Sequence, residues 1–347
     1  MSQLYEIQPA ASSELARHRL SHLPILLLNI HTLCNCRCVM CDIWKRTEGR
    51  ELPVAALERH RASMISLGVR NVVISGGEPL FHRDLSSLCD FFHELGIRIT
   101  LLTTGLLLHK RAILVAGNID EIILSIDGPP DVHNAIRQIP RAFETIARGV
   151  QAIRTLNPAL PVSCRTTVQK LNHTHLCATV DAVRAIQLNG ISFLPADITS
   201  TAFNRQARWE VPRQSEIALT SSELLALESE IERLIATHSS DLASQFIREN
   251  ESKLRRLAVR FREHLENIPP QAPTCNAPWV SAVMEVDGSL RPCFFHPPTA
   301  STHVSTLEEA LNSQSAVAFR AKLDVATNST CRNCVCSLNY RASELQA

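Results

Sequence analysis

The sequence predicts an α/β fold, a partial (βα)6 barrel followed by a small α+β extension at the C-terminal end. Six short apolar runs alternate with amphipathic stretches between residues 24 and 198. The apolar runs are nearly continuous, as in parallel strands buried on both faces, and helices between them would supply the crossovers. Six strand–helix units in succession favour a barrel, whole or partial.

The predicted elements of the barrel follow these runs along the chain. The six strands are expected at residues 24–30, 71–75, 97–105, 121–128, 161–169 and 190–195. The intervening helices are expected at residues 54–67, 84–95, 141–155 and 174–187. Each predicted strand therefore ends in a loop that reaches the same edge of the sheet.

The rest of the chain has a different organisation. We expect a loop at residues 200–216 and long charged helices at 221–237 and 241–267. Two apolar runs then flank Asp287-Gly288, a pair that signals a hairpin turn. The predicted division of the chain is a lead-in (1–23), a barrel core (24–198), a loop with long helices (199–268) and a C-terminal domain (269–347).

Composition and charge exclude several classes of protein. The chain has 347 residues, a formal net charge of +1 and no long basic run, so no nucleic-acid partner is expected. No apolar run reaches the ~18 residues of a membrane-spanning helix, and no signal peptide is recognised. We therefore expect a cytoplasmic protein without a membrane partner. In that compartment its 12 cysteines would be ligands, nucleophiles or packing residues.

Cysteines crowd the stretch HTLCNCRCVMCDIWK, residues 31–45, directly after the first predicted strand. Cys34, Cys38 and Cys41 have the spacing C-x3-C-x2-C, and three thiolates leave one iron of a [4Fe–4S] cube without a protein ligand. An open iron can bind and activate a substrate or cofactor. The alternative is a structural zinc ion, which wants four ligands and would include Cys36.

A second motif bears on this choice. The stretch GGEP, residues 76–79, follows the second predicted strand. Over residues 24–197 the chain resembles the radical S-adenosylmethionine (SAM) superfamily, whose fold is a partial barrel. The resemblance implies that the three spaced cysteines, Cys34, Cys38 and Cys41, hold a [4Fe–4S] cluster and that Cys36 is not a ligand. The open iron would chelate the amino and carboxylate groups of SAM.

The resemblance also implies contacts of SAM with the first two loops. Met40, just before the third cysteine, would border the adenine. Gly76, Gly77 and Glu78 would meet the methionine amino group. An ammonium needs hydrogen-bond acceptors, and glycines let backbone carbonyls approach closely.

Further SAM contacts are implied at the ends of later strands. Ser125 and Asp127 in LSIDG would bind the ribose, and Thr104 stands where relatives often have asparagine. Arg165 in CRTTV would hold the SAM carboxylate, because an arginine fork suits a carboxylate. The alternative for each of these polar residues is to satisfy the core. Arg137 in HNAIR would support a loop or touch substrate.

The tail contains a second group of cysteines. Its members are Cys275, Cys293, Cys331, Cys334 and Cys336, and a hairpin would bring the first two together. Spacing alone leaves iron–sulfur and zinc open. The arrangement resembles the SPASM and shortened Twitch extensions of the same superfamily. That resemblance implies an auxiliary [4Fe–4S] cluster held by Cys275, Cys293, Cys331 and Cys334, with Cys336 as the rival of Cys334.

The function implied by the resemblance is reductive cleavage of SAM to a 5′-deoxyadenosyl radical. The electron would come from a donor such as flavodoxin or ferredoxin, and the radical would abstract hydrogen from a small biosynthetic intermediate. The auxiliary cluster would accept the electron left on the substrate, which makes the enzyme an oxidoreductase. The alternatives are a maturase of a ribosomally made peptide and a zinc or iron–sulfur scaffold or sensor.

The substrate pocket is expected to include the loop after the sixth strand. Asp197, Asn204, Arg205 and Trp209 lie in this loop and would line the pocket. The alternative is a solvated connection between the barrel and the long helices. No residue of the sequence stands out as a general base.

Overall fold

The computed structural model describes residues 16–341, and its centre is a single sheet. Six parallel strands lie side by side in chain order. They are β1 (Ile25–His31), β2 (Asn71–Gly76), β3 (Arg98–Thr103), β4 (Glu121–Ser125), β5 (Val162–Val168) and β6 (Gly190–Pro195). The predicted α/β partial barrel is confirmed, and the six strands lie where the apolar runs placed them, within a few residues.

Helices connect the strands and continue the chain after them. They are α1 (Val54–Glu58), α2 (Arg61–Ser66), α3 (Leu85–Glu94), α4 (Ala112–Asn118), α5 (Pro130–Arg137), α6 (Ala142–Leu156), α7 (Leu176–Ala185), α8 (Val211–Ser215), α9 (Ser221–Thr237), α10 (Ser239–Ala243) and α11 (Glu251–Leu265). One 3-10 turn, Ile43–Lys45, ends the cysteine-rich stretch, and another, Pro79–Phe81, begins at the proline of GGEP.

The two faces of each barrel strand have different surroundings. In β1, Leu26, Leu28 and Ile30 are fully buried in the main hydrophobic core. Side chains alternate between the faces of a strand, so the residues between these apolar ones face the barrel interior. Ser125 of β4 and Arg165 of β5 are register partners on neighbouring strands. The alternation therefore places polar side chains inside the barrel at the ends of the strands.

The C-terminal extension continues the barrel sheet. Its strands are β7 (Ser281–Met284), β8 (Ser289–Arg291) and β9 (Ala300–Ser301), and its helices are α12 (Ala277–Val280), α13 (Leu307–Leu311), α14 (Gln314–Lys322) and α15 (Ser329–Arg332). β7 pairs in parallel with β1, and β8 turns back against β7. Gly288 forms the predicted turn with φ of +75°, a conformation that favours glycine. The extension is thus attached beside the strand that leads into the cysteine loop.

Several helices differ from the sequence prediction. The helix expected at 54–67 is interrupted between α1 and α2, where the His60 side chain enters the core at 2% exposure. The helix expected at 241–267 is interrupted between α10 and α11 because residues 246–248 pair with the edge strand β6 through Ile191. The loop expected at 200–216 contains α8, and α4 and α5 were not predicted. Among residues 16–341, no helix is both long and apolar enough to cross a membrane.

Candidate active site

The cysteine loop leaves the end of β1 and is held by the GGEP loop. Gly77 N–H donates to the His31 carbonyl at 2.7 Å, and Glu78 N–H donates to the Leu33 carbonyl at 2.8 Å. A Cβ added at Gly77 would lie 2.1 Å from the Leu33 oxygen, and one at Gly76 would lie 2.4 Å from the His31 oxygen. The two glycines are therefore required by the close approach of the chain that leads to Cys34.

The C-terminal end of α5 holds the other side of the same loop. The Arg137 carbonyl accepts from Arg37 N–H at 3.1 Å, and the Ile136 carbonyl accepts from Val39 N–H at 3.0 Å. The Arg137 guanidinium donates through Nη1 to Cys38 Sγ at 3.3 Å. The cysteine loop is thus fixed between the GGEP loop and the end of α5.

The thiols of the loop differ in acidity. Hydrogen bonds with Cys36 lower the pKa of Cys34 and that of Cys38, the latter to about 6 with further help from Arg137, although burial opposes both shifts. The same bonds, together with burial, raise the pKa of Cys36. Burial, and then the charge of Cys38, raise the pKa of Cys41 to about 12. Cys34 and Cys38 therefore have the most thiolate character in the loop, and Cys36 has the least.

A cavity of about 230 Å³ lies between this loop and the inner faces of β2 to β6, and we call it the barrel cavity. Nine of the residues predicted to bind SAM or the cluster line it: Cys34, Cys38, Met40, Cys41, Gly76, Gly77, Thr104, Ser125 and Arg165. Arg165 is exposed to the cavity and makes no ion pair with any residue of 16–341. Such an unpaired guanidinium suits a ligand carboxylate.

Glu78 does not line the barrel cavity. Its carboxylate is fully buried and accepts hydrogen bonds from Thr103 Oγ1 at 2.7 Å, from Leu80 N–H at 3.0 Å, and from both the N–H and the hydroxyl of Thr104. Burial raises the pKa of Glu78, and the hydrogen bonds oppose that shift. The side chain thus ties the GGEP loop to the end of β3, and its contact with an amino group stays a prediction.

Asp127 also lies outside the lining of the barrel cavity. Its carboxylate is fully buried, lies 2.6 Å from Arg137 Nη2, and accepts from Thr167 N–H at 2.8 Å. Burial raises the pKa of Asp127, while the Arg137 charge opposes the shift. The geometry pairs this carboxylate with Arg137, and its predicted contact with the SAM ribose stays a prediction.

The loop after β6, residues 197–210, packs against the cysteine loop. Asp197 and Arg205 form an ion pair at 2.8 Å in which both side chains are 1% exposed. Arg205 stacks on the Trp209 ring, and Trp209 Nε1 donates to Asp42 Oδ2 at 2.8 Å. Asn204 donates through Nδ2 to the Asp42 carbonyl. This loop is therefore an ordered cover of the site and not a solvated connection.

A second cavity of about 240 Å³ lies beside the barrel cavity, and we call it the side cavity. Gly76, Gly77, Ile43 and Phe203 line both cavities. The other side-cavity residues include Asn29, His31, Arg46, Asn204, Arg205, Glu285, Arg291 and Phe294. Of the loop residues predicted to line a substrate pocket, Asp197 lines the barrel cavity, Asn204 and Arg205 line the side cavity, and Trp209 lines neither.

The tail cysteines surround a third, smaller cavity, the tail cavity. Cys275, Cys293, Cys331 and Cys334 line it, while Cys336 does not. The remaining lining residues are mostly apolar and include Pro273, Pro278, Phe295 and Val325. His296 is a polar neighbour, with Nε2 3.3 Å from Cys331 Sγ. The four predicted ligands thus line one cavity, and Cys336 lies close by, its carbonyl accepting from Cys334 Sγ at 2.6 Å.

Burial and the charges of neighbouring thiols raise the pKa values of several of the tail thiols. Burial, followed by the charges of Cys293 and Cys275, raises the pKa of Cys331 to about 11. Burial also raises the pKa of Cys293 and that of Cys334. Such thiols become thiolates when a positively charged metal centre compensates their charge.

Across residues 16–341 no three Cys, His, Asp or Glu side chains are close enough to share a single metal ion.

Two site residues escaped the sequence prediction. Gln169, fully buried after β5, donates to the Met40 sulfur at 3.6 Å. Asn35 accepts from the Thr104 hydroxyl at 2.9 Å and so joins the cysteine loop to the end of β3. Their positions directly after a strand or beside a ligand were the available signal. Arg137 was noted only as a loop or substrate residue, and its contact with Cys38 was not foreseen.

Comparison with known families gives two matches. Residues 28–181 match the model described as the radical SAM superfamily. Residues 275–335 match the model called SPASM, described as an iron–sulfur cluster-binding domain. The first match spans β1 to α7, and the second spans the tail cavity with all four of its cysteines.

Individual relatives are distant. An AdoMet-dependent heme synthase of Methanosarcina barkeri is 25% identical over 209 residues, which cover 54% of this chain and 58% of the relative. The chain thus spans less than two thirds of that protein. A probable GTP 3′,8-cyclase of Methanococcus maripaludis is 24% identical over 272 residues, which cover 77% of this chain and 83% of the relative.

Solved structures share the fold over most of the chain. Streptococcus suis SuiB bound to the precursor peptide SuiA has a TM-score of 0.63 at 14% identity, covering 97% of this chain and 80% of SuiB. Native anSMEcpe, with bound AdoMet and the Cp18Cys peptide, has a TM-score of 0.63 at 17% identity, covering 89% of this chain and 88% of anSMEcpe. At these identities the likeness shows the fold alone.

Proposed function

We propose that this chain, which belongs to the radical SAM superfamily and has a C-terminal SPASM domain, abstracts hydrogen from a small biosynthetic intermediate. The family implies a [4Fe–4S] cluster with SAM, and the SPASM domain implies auxiliary iron–sulfur binding. The observation that supports the proposal best is the pair of thiol sites: three spaced thiols line the barrel cavity and four line the tail cavity. A three-thiol site suits activation of SAM, and a four-thiol site suits electron transfer.

The donor sets fit these groups. In the barrel cavity, Cys34, Cys38 and Cys41 would hold the cluster, and Cys36 would stay protonated beside them. In the tail cavity, Cys275, Cys293, Cys331 and Cys334 would hold the auxiliary cluster between apolar walls. A zinc ion in the tail is the alternative that metal analysis must exclude.

The barrel cavity provides complementary groups for SAM. Arg165 would receive the carboxylate, and the backbone of Gly76 and Gly77 would receive the amino group. Ser125 would bind the ribose, and Met40, supported by Gln169, would border the adenine. Thr104, fixed by Glu78 and Asn35, would complete the wall.

The bound cluster and SAM supply the 5′-deoxyadenosyl radical, and the protein supplies orientation and a water-poor cavity. The loop at residues 197–210 covers the cysteine loop, and its Phe203 lines both the barrel and side cavities. Enclosure matters because a primary carbon radical abstracts hydrogen from accessible C–H and S–H donors other than the substrate. Arg205 and Trp209 would therefore protect the site by holding this cover closed.

The substrate would lie in the side cavity. That cavity shares four lining residues with the barrel cavity, and its Phe294 contacts Phe295, which lines the tail cavity. A substrate there would face the SAM site on one side and the auxiliary site on the other. The auxiliary cluster would accept the electron left after hydrogen abstraction, which makes the reaction a net oxidation. A flavodoxin or ferredoxin would supply the electron that starts turnover.

A peptide maturase is the second candidate. It is supported by the fold shared with SuiB, whose solved complex contains a precursor peptide, over 97% of this chain. A further cleft, lined by Asp197, Arg260, His264 and Val335, reaches the barrel cavity from the side of α11. An extended chain could follow this cleft to the same site.

The test is anaerobic turnover with SAM and a strong reductant after reconstitution with iron and sulfide. We expect 5′-deoxyadenosine from the unsubstituted protein. Deuterated small-molecule and peptide candidates would then be compared by transfer of deuterium into 5′-deoxyadenosine. Transfer from a small molecule supports the proposal, transfer from a peptide supports the maturase, and absence of 5′-deoxyadenosine under all conditions would contradict both.

A further inference from the structure

We propose that Arg137 is a positioning residue that raises the reduction potential of the cluster in the cysteine loop, and that Asp127 limits this effect. The proposal rests on the cluster assignment made in the proposed function. Arg137 is the last residue of α5, and its guanidinium donates to Cys38 Sγ at 3.3 Å. The same guanidinium is therefore ion-paired with Asp127 and hydrogen-bonded to a thiol of the cysteine loop.

The contact is built into the backbone around it. The same turn of α5 that presents Arg137 accepts two N–H groups of the cysteine loop, those of Arg37 and Val39. The backbone that carries Arg137 is therefore fixed relative to the cysteine loop. The side chain is only 9% exposed, so water does not screen its charge.

Asp127 is fixed on the other side of the guanidinium. Its carboxylate accepts from Thr167 N–H, and its own N–H donates to His133 Nδ1 at 3.1 Å. Its carbonyl accepts from Asn172 Nδ2 at 2.8 Å. A buried ion pair is costly to assemble and contributes little net stability compared with apolar packing. Its place against a predicted cluster ligand therefore points to a role in the site.

The electrostatic consequence has a definite sign. Reduction adds negative charge to a cluster, and a hydrogen bond from a cation to a ligand sulfur stabilises that charge. Arg137 should therefore make the cluster easier to reduce. The Asp127 carboxylate opposes part of that effect through its negative charge. The other buried arginine near the loop, Arg205, donates to Asp197 and to carbonyl oxygens instead.

The experiment is an anaerobic redox titration of the reconstituted full chain, followed by EPR spectroscopy. The cluster in the cysteine loop is identified by the change of its EPR signal when SAM is added. Arg137→Met should lower its midpoint potential, and Asp127→Asn should raise it. For Arg137→Met we expect at least a tenfold change in the reduction equilibrium, which is ~59 mV for one electron. Arg137→Lys should lie between Arg137→Met and the unsubstituted protein.

Matched controls separate this role from a structural one. Asp241→Asn removes a buried, arginine-paired carboxylate of α10, and it should leave both potentials unchanged. The auxiliary cluster serves as an internal control, since its potential should not move in any variant. Because Arg137→Met leaves Asp127 unpaired, the double variant Asp127→Asn/Arg137→Met provides a neutral pair, and it too should lower the potential.

The proposal predicts midpoint-potential shifts of opposite sign for Arg137→Met and Asp127→Asn, and the potentials can contradict it in two ways. Unchanged potentials in Asp127→Asn and in the double variant, with the SAM-responsive cluster present, would exclude the role of Arg137 and leave the proposed function intact. Equal shifts of both clusters would indicate a global structural effect and would also exclude it. Absence of any SAM-responsive cluster in the unsubstituted protein would overturn the proposed function as well.

Discussion

The two cysteine sites of this chain have opposite surroundings. The thiols of the cysteine loop are hydrogen-bonded to one another and to Arg137, and they open onto a cavity with Arg165 and Ser125 on its far wall. The tail thiols are enclosed by proline, phenylalanine and valine side chains. A roomier site with three predicted ligands and a few polar groups in its wall can accept a further molecule, while a smaller, apolar-walled site with four is suited to electron exchange. On this difference rests our proposal that the first site carries the chemistry and the second transfers electrons.

We expect the largest effect on SAM cleavage from substituting Cys38, and no such effect from substituting its neighbour Cys36 in the same site. Cys38→Ala removes a predicted ligand, so we expect loss of 5′-deoxyadenosine formation. Cys36→Ala removes the thiol with the raised pKa and should keep SAM cleavage. Chromatographic quantification of 5′-deoxyadenosine measures both variants. Loss of cleavage in the Cys36 variant alone would overturn the ligand assignment.

The second-largest effect should be loss of the cluster in the cysteine loop, while the cluster in the tail stays bound. Gly77→Ala places a methyl 2.1 Å from the Leu33 carbonyl oxygen and must displace the cysteine loop. We expect bound iron to fall from about eight to about four atoms per chain, because only one four-iron cluster remains. Gly117→Ala is the matched control, since its Cβ meets nothing within 4 Å. Full iron in Gly77→Ala would show that the loop tolerates the shift.

A smaller effect, on the affinity for SAM, is expected from substituting Arg165 in the wall of the barrel cavity. Arg165→Ala removes the unpaired guanidinium, and loss of a charged hydrogen bond of about 1.5–3 kcal/mol corresponds to a ~10–100-fold weaker Kd for SAM. Anaerobic calorimetry measures this affinity. Arg98→Ala, at the exposed start of β3, should leave the affinity unchanged. Equal affinities of the two variants would remove Arg165 from the SAM site.

The smallest effect concerns the cover over the open site. Trp209→Phe keeps most of the stacking on Arg205 but loses the hydrogen bond to Asp42. We expect a loss of about 1 kcal/mol in the free energy of unfolding, typical of one hydrogen bond. Urea unfolding of the reconstituted protein measures this loss. An unchanged midpoint would mean that the bond is replaced by water.

The sequence predicted the barrel well because its signals are local. Each strand is a short apolar run, and each motif stands directly after a strand, so the strand ends bring the motifs together. The parallel pairing of β7 with β1 was not predictable, because it joins segments some 250 residues apart through backbone hydrogen bonds that leave no local pattern. The helix α5 was missed because it is only eight residues long and directly follows the turn after β4.

The sequence predicted which residues lie near the site better than it predicted where their side chains point. Cysteine spacing and glycine motifs pointed to residues that line the two thiol cavities, and their roles as ligands stay predictions. Glu78 and Asp127 stand at the expected strand ends, yet their carboxylates turn into the protein toward Thr104 and Arg137. Whether a side chain faces a cavity depends on loop geometry that neither residue type nor spacing encodes.

The most direct test uses a variant in which Cys34, Cys38 and Cys41 are all replaced by alanine. After anaerobic reconstitution, iron is quantified and Mössbauer and EPR spectra are recorded beside the unsubstituted protein. We predict that one [4Fe–4S] cluster survives, held by the four tail thiols, with no response to SAM. Loss of all iron–sulfur signals, with zinc found in the tail, would contradict the distinction between an open catalytic site and a closed electron-transfer site.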